Sequence, residues 1–387
     1  MSAARIPEAM DAPVRSAFLD PILNAAAERG ASDVHLSAGR VVLMRLDGDL
    51  VPLPGGGPEL AGEWLESVLL GLLGSSKLAD FAADGEVDLS YAVRGGQRVR
   101  VNIFRQHGGI AAAMRLVPRH LPSMVSLGIP EVASALALRP QGLVLVTGPS
   151  GSGKSTTLAA MVDLVNRQRA GHIVSVEDPI EYVHQSRRCL IHQREIGTDS
   201  QSFASALRHV LRQDPDVVMI GELRDSESIA IALTAAETGR LVLATLHTQG
   251  AAKSIDRIID SFPSGQQAQV RAQLGETLQG VISQVLLPRS DGSGRVLATE
   301  VLVHTDAVAN LIRECQVPQL QTVMQTSSTL GMHTLDQSLQ SLVRRSVVDR
   351  RVAKEYASDQ AALAAVIVGH VSPARDGWPS AHLNEGV

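Results

Sequence analysis

The sequence predicts an α/β protein built in two parts, and three observations carry that prediction. Beyond residue 140, short apolar runs at 143–146, 173–176, 217–220 and 241–244 alternate with helical segments. Buried parallel strands joined by crossover helices produce this pattern. The stretch 148–155 is glycine-rich, follows the first of those runs and precedes a helical segment at 156–164. Before residue 118, segment 98–104 alternates, with Arg98, Arg100 and Asn102 on one face and Val99, Val101 and Ile103 on the other. A half-buried strand has that period, so the first part is an α+β module.

The elements of the first part follow in order. Residues 21–29 read as a short helix, with Pro21 near its start and Gly30 after its end. Segments 32–36 and 41–46 are strands, and Asp47-Gly48 suits a hairpin turn. Apolar spacing predicts a helix over 60–73, and 88–93 and 98–104 are strands. Prolines 118, 122, 130 and 140 mark a linker. The expected division is therefore a first domain 1–117, a linker 118–140, a second, α/β domain 141–357 and a loose tail 358–387. From about residue 262 onward the chain reads as mostly helical.

Composition removes several classes of function. The 387 residues carry 35 Lys and Arg against 40 Asp and Glu, a net charge of −5, with ten aromatics in total. A protein that coats nucleic acid carries a basic excess and aromatic platforms, so no nucleic-acid partner is expected. Two cysteines, Cys189 and Cys315, cannot build a disulfide scaffold or a four-cysteine zinc site. A reduced, cytoplasmic setting follows. No run approaches the roughly 18 apolar residues of a membrane span, and the first 16 residues lack the apolar core of a secretion signal. Lysine is scarce, at positions 77, 154, 253 and 354, and composition bias explains most of that scarcity.

One of those lysines completes the strongest motif. Gly148, Pro149, Ser150, Gly151, Ser152, Gly153, Lys154 and Ser155 match G-x-x-x-x-G-K-[ST], with Thr156 continuing into the helix. Glycines let backbone N–H groups curl around phosphate oxygens, and the helix N-terminus adds positive potential. Lys154 is placed to reach the β- and γ-phosphates of ATP, and the Ser155 hydroxyl to ligate Mg²⁺. Three further strand ends carry polar groups: Glu177-Asp178-Pro179-Ile180-Glu181, Gly221-Glu222 and Thr245-Leu246-His247-Thr248. Ligands of open α/β sheets collect at that edge. Glu222 is the candidate for polarising the attacking water, with Glu177 a second catalytic carboxylate. Asp178 and Glu181, with Ser155, would hold Mg²⁺, partly through water. His247 would hydrogen-bond the γ-phosphate.

Taken together, these segments resemble the bacterial secretion and type IV pilus ATPase superfamily, most closely its retraction ATPases of twitching motility. LVLVTGPSGSGKSTTLAAM, VEDPIEYVH, DPDVVMIGELRD and LTAAETGRLVLATLHT resemble its Walker A, Asp box, Walker B and His box, in that order. GASDVHLSAG and RVRVNIF resemble its PAS-like domain, and TLQGVISQVLLPR and LGMHTLDQSL match further on. The resemblance spans about residues 20–350. It implies an N-terminal PAS-like domain, a RecA-like motor core with a helical C-terminal part, and a homohexamer. It also implies docking from the cytoplasm on an inner-membrane pilus platform protein, with a second retraction ATPase as a further partner. Arg100 and Arg115 fall on positions from which the family sends arginines to the phosphates.

Departures from the family pattern bear on the job. Gly108 stands where a further arginine is usual, Arg240 replaces a histidine, Ala230 an arginine, and Ala309 the first arginine of the AIRNLIRE motif. The alternatives are an accessory retraction paralogue, a pilus-assembly or type II secretion ATPase, a nucleotide-binding subunit without turnover, and a nucleic-acid motor.

Overall fold

The computed structural model describes residues 12–46, 48–94, 98–117 and 121–360. The loose tail expected after residue 358 therefore lies, from residue 361 on, outside the described residues, as does Asp47 of the expected turn. The chain forms two units by its internal packing: Met1–Ser123 with Val162–Glu222, and Met124–Met161 with Leu223–Val387.

The first unit opens with α1 (Ala12–Glu28), β1 (Asp33–Ser37), β2 (Leu43–Leu46), β3 (Asp49–Pro52), α2 (Gly62–Leu70), α3 (Ser75–Asp84), β4 (Glu86–Ala92), β5 (Arg98–Gln106) and β6 (Gly109–Leu116). Its six strands form one antiparallel sheet in the order β3-β2-β1-β6-β5-β4. The alternation read in β5 is realised: Val99, Val101 and Ile103 are buried while Arg100 is exposed. Leu46 pairs with Asp49, and between them Gly48 takes φ +99°. The hairpin between β5 and β6 turns at Gly108 with φ +105°. That backbone favours glycine over any side chain, which gives a local reason for glycine at this position. Helix α1 starts earlier than expected and contains Pro21. Pro21 faces outward while Leu19, Leu23 and Ala26 are fully buried on the other face, so core burial carries the helix through the proline.

The chain continues with α4 (Glu131–Ala137), β7 (Gly142–Thr147), α5 (Lys154–Gln168), β8 (Gly171–Glu177), β9 (Cys189–Glu195), α6 (Phe203–Val210), β10 (Val217–Ile220), α7 (Ser226–Glu237), β11 (Leu241–Leu246), α8 (Ala251–Asp260) and α9 (Ser264–Thr277). It ends with β12 (Leu278–Pro288), β13 (Arg295–Val303), α10 (Asp306–Arg313), α11 (Leu320–Thr326), α12 (Leu335–Arg344) and α13 (Arg350–Tyr356). Within the first unit β10, β8 and β9 lie side by side and parallel. Within the second, the order is β13-β12-β7-β11, parallel except for the outer β12–β13 pair. Strands β7, β10 and β11 are buried along their whole length, as apolar runs covered on both faces must be.

As expected, helices α9 to α13 make up most of the regular structure after residue 262, but β12 and β13 intervene and pair over nine residues, from Gly280↔Val303 to Pro288↔Arg295. Polar Ser283 and Gln284 interrupt the apolar pattern of β12 yet are buried, so periodicity concealed the strand. The proline-marked stretch 118–140 also contains a helix, α4, packed on β12. A Cβ on Gly280 would stand 2.7 Å from Leu136 Cδ1 and 2.9 Å from the Leu302 carbonyl, so glycine is what allows this close approach.

Candidate functional site

In the second unit the phosphate loop leaves β7 at Thr147 and enters α5 at Lys154. Gly148, Gly151 and Gly153 take φ of +140°, +75° and +89°. Gly148 admits no side chain: a Cβ would lie 2.3 Å from the Gln284 carbonyl oxygen and 2.7 Å from Ser152 Oγ. Lys154 is only 8% exposed, and its ammonium donates to the carbonyls of Gly148 and Pro149, both at 2.9 Å. Ser155 and Thr156 follow in the first turn of α5. Strand β11 runs in register with β7, pairing Leu246 with Thr147, so His247 leaves its strand beside Gly148.

Sequence reasoning missed Gln284. It is fully buried in β12, and its Nε2 donates to Thr157 Oγ1 at 2.8 Å on α5. Its Oε1, with Thr147 Oγ1 and Ser152 Oγ, is buried without a hydrogen-bond partner among the described residues. The signal available was a glutamine inside an apolar run. A curled backbone, a helix N-terminus, a held ammonium and orphaned buried hydroxyls form a donor set that fits nucleotide phosphates.

In the first unit the acidic residues gather at the ends of β8 and β10. Val176 pairs with Ile220, and the Gly221 N–H donates to the Val176 carbonyl at 2.8 Å. A Cβ on Gly221 would lie 3.3 Å from Glu177 Cα, so the two strand ends run close together and Glu222 follows directly. Asp178 and Glu181 sit on the loop after β8, and Glu181 lies 3.8 Å from Arg100 of β5. Arg115 is 69% exposed and paired with Asp33 at 3.0 Å across the β1–β6 ladder.

Glu177 is 7% exposed and accepts hydrogen bonds from Ser175 Oγ at 2.6 Å and Gln193 Nε2 at 3.1 Å. Burial outweighs both donors and pushes its carboxyl up to about 6, from 4.5. A carboxyl raised on folding contributes stability that is fully present below its unfolded pKa and lost as pH climbs through the folded one. A rise of this size corresponds to about 2 kcal/mol between the acid side and neutrality. Glu177→Gln has no proton to lose. Its stability relative to the native chain is therefore expected to improve by about that amount between pH 4 and pH 8, measured by denaturant unfolding. A difference independent of pH would show that Glu177 is not the buried titrating group.

Of the departures from the family pattern, Ala309 is 4% exposed on α10, which packs on α9, and a Cβ on Gly275 would stand 3.2 Å from its carbonyl. Arg240 donates from Nη1 to Thr238 Oγ1 at 2.7 Å, and the Ala230 carbonyl accepts from the Thr234 hydroxyl inside α7. Among the described residues no helix is long and apolar enough to cross a membrane.

Comparison with known proteins places this arrangement. A family model described as type II/IV secretion system protein matches residues 8–369. The type IV pilus retraction ATPase PilT of Pseudomonas aeruginosa is 47% identical over 87% of this chain and 97% of its own length. The type IV pilus ATPase PilU of the same organism is 38% identical over 87% of this chain and 88% of its own. A crystal structure of the pilus retraction motor PilT with bound ADP superposes with a TM-score of 0.81 at 44% identity, covering 88% of this chain and 97% of that one.

Proposed function

The chain belongs to the type II/IV secretion system protein family, and from that premise we propose that it is an ATP-hydrolysing motor of type IV pilus retraction. The observation that carries the nucleotide part is the phosphate loop, where Lys154 is held over carbonyls of its own loop beside two orphaned hydroxyls. Similarity to PilT along nearly its whole length supports retraction over assembly or secretion.

In this reading the loop 148–153 and the α5 N-terminus bind the phosphates of ATP, and Lys154 neutralises charge on the outer two. Mg²⁺, when bound, would screen the charge that grows on the γ-phosphate. Ser155, Asp178 and Glu181 have the oxygen donors that suit it. Glu222 orients a water and accepts its proton, with Glu177 beside it and His247 donating toward the γ-phosphate. Arg100 and Arg115 are joined to Glu181 and Asp33, so each must exchange its partner before it meets phosphate. The two arginine side chains are 44% and 69% exposed, and such solvent-facing pairs exchange at little cost. The N-terminal sheet is assigned as the PAS-like domain and the parallel strands as the RecA-like core. A closed homohexamer docks on the inner-membrane platform from the cytoplasm.

The second reading is an accessory retraction paralogue, favoured by Ala309, Gly108, Arg240 and Ala230 at family arginine and histidine positions and by the 38% identity to PilU. Purified full-length chain tests the common core of both readings. With Mg²⁺ and ATP it is expected to hydrolyse ATP and to sediment at six times the 41.0 kDa chain mass. A monomer at micromolar concentration with nucleotide present overturns the motor.

A further inference from the structure

Glu195, the last residue of β9, lies outside every nucleotide motif, yet it is among the most buried carboxylates in the first unit at 4% exposed. Its Oε2 stands 3.4 Å from Arg98 Nη2 of β5 and accepts the Ile180 N–H at 3.2 Å. Its Oε1 accepts from the Thr198 hydroxyl at 3.4 Å. Its own backbone is fixed as well: the N–H donates to Asp199 Oδ2 at 2.8 Å, and the Ile196 N–H donates to the Glu177 carbonyl at 2.9 Å. Glu195 and Glu177 are register partners at the ends of β9 and β8.

The consequence concerns the loop that carries Asp178 and Glu181. One end is held through the Ile180 N–H by Glu195, and Glu195 is held by Arg98. At the other end Glu181 stands 3.8 Å from Arg100, two residues along the same face of β5, in a solvent-facing pair that can exchange. A buried carboxylate must keep its cation and donors, because the charge has nowhere else to go. Arg98, Glu195 and the loop therefore shift together.

We infer that Glu195 is a positioning residue for hydrolysis, setting the acidic loop 178–181 by tying it to Arg98 of the antiparallel sheet. A displacement of that sheet then reaches Asp178 and Glu181 through Glu195. This rests on the proposal that the loop serves the Mg²⁺-nucleotide complex.

The test compares full-length wild type with E195Q, R98A, R98K and the R98A/E195Q double variant. Glutamine keeps an acceptor for the Ile180 N–H and removes the charge that holds Arg98. Each of E195Q and R98A is expected to lower kcat about tenfold, as small misplacements of catalytic groups do, while ADP affinity stays within about twofold. The free Mg²⁺ needed for half-maximal turnover should rise in both. The double variant should be no slower than the worse single, since both changes break one link. R98K should recover part of the rate. Unchanged kcat and Mg²⁺ dependence in E195Q, or additive losses in the double variant, overturn the inference. Should E195Q fold poorly, amide exchange at Ile180 in R98A decides: faster exchange than wild type supports the link and equal exchange overturns it. Absence of turnover in wild type would instead sink the ATPase proposal, so the two failures are distinguishable.

Discussion

Glu222→Gln is expected to lower ATP turnover by at least about a hundredfold while leaving ADP affinity within about threefold, because an amide cannot accept the proton of the attacking water. Glu222 follows the buried strand β10 at a point where Gly221 allows the backbone to approach Glu177 closely. That rigid support is why the side chain's chemistry, and not its packing, should dominate the loss. The measurement is steady-state phosphate release beside titration with a fluorescent ADP. Persistent turnover would assign the proton acceptor elsewhere, with Glu177 the next carboxylate to replace.

Gly148→Ala is expected to weaken nucleotide binding at least about a hundredfold, since about 3 kcal/mol of strain suffices for that factor. Two independent effects contribute. The backbone at φ +140° disfavours any side chain, and the added methyl would collide with the Gln284 carbonyl at 2.3 Å. Gly151→Ala is the control within the same loop: its φ is +75°, but nothing lies within 4 Å of the added carbon. It should cost only about 1 kcal/mol, the backbone strain alone. Equal losses at the two positions would mean that flexibility, and not the contact with β12, matters in this loop.

Local signals in the sequence were readable where the chemistry is local. The phosphate loop needs glycines and a lysine at fixed offsets, and the strands before each polar cluster are buried enough to show as mainly apolar runs, broken only by Ser175. The alternation of β5 was legible because one face is buried and the other carries Arg98 and Arg100. What failed depended on partners distant in sequence. Strand β12 hides because Ser283 and Gln284 are buried polar groups whose partners are Gly250 and Thr157. Pro21 reads as a helix boundary, yet burial of Leu19 and Leu23 on both sides of it carries α1 through the proline. Glu195 carries no local mark at all: its weight comes from Arg98, almost a hundred residues earlier in the chain. Arg100 and Arg115 were found by resemblance, and the structure adds the carboxylates they now hold.

The most direct measurement deletes the gene in its source bacterium, restores it with wild type or with Glu222→Gln, and scores surface pili together with twitching. A retraction motor leaves excess surface pili without movement on deletion, reversed by the wild-type copy and not by Glu222→Gln. Loss of surface pili, or normal piliation with normal movement, would contradict retraction as the work of this chain.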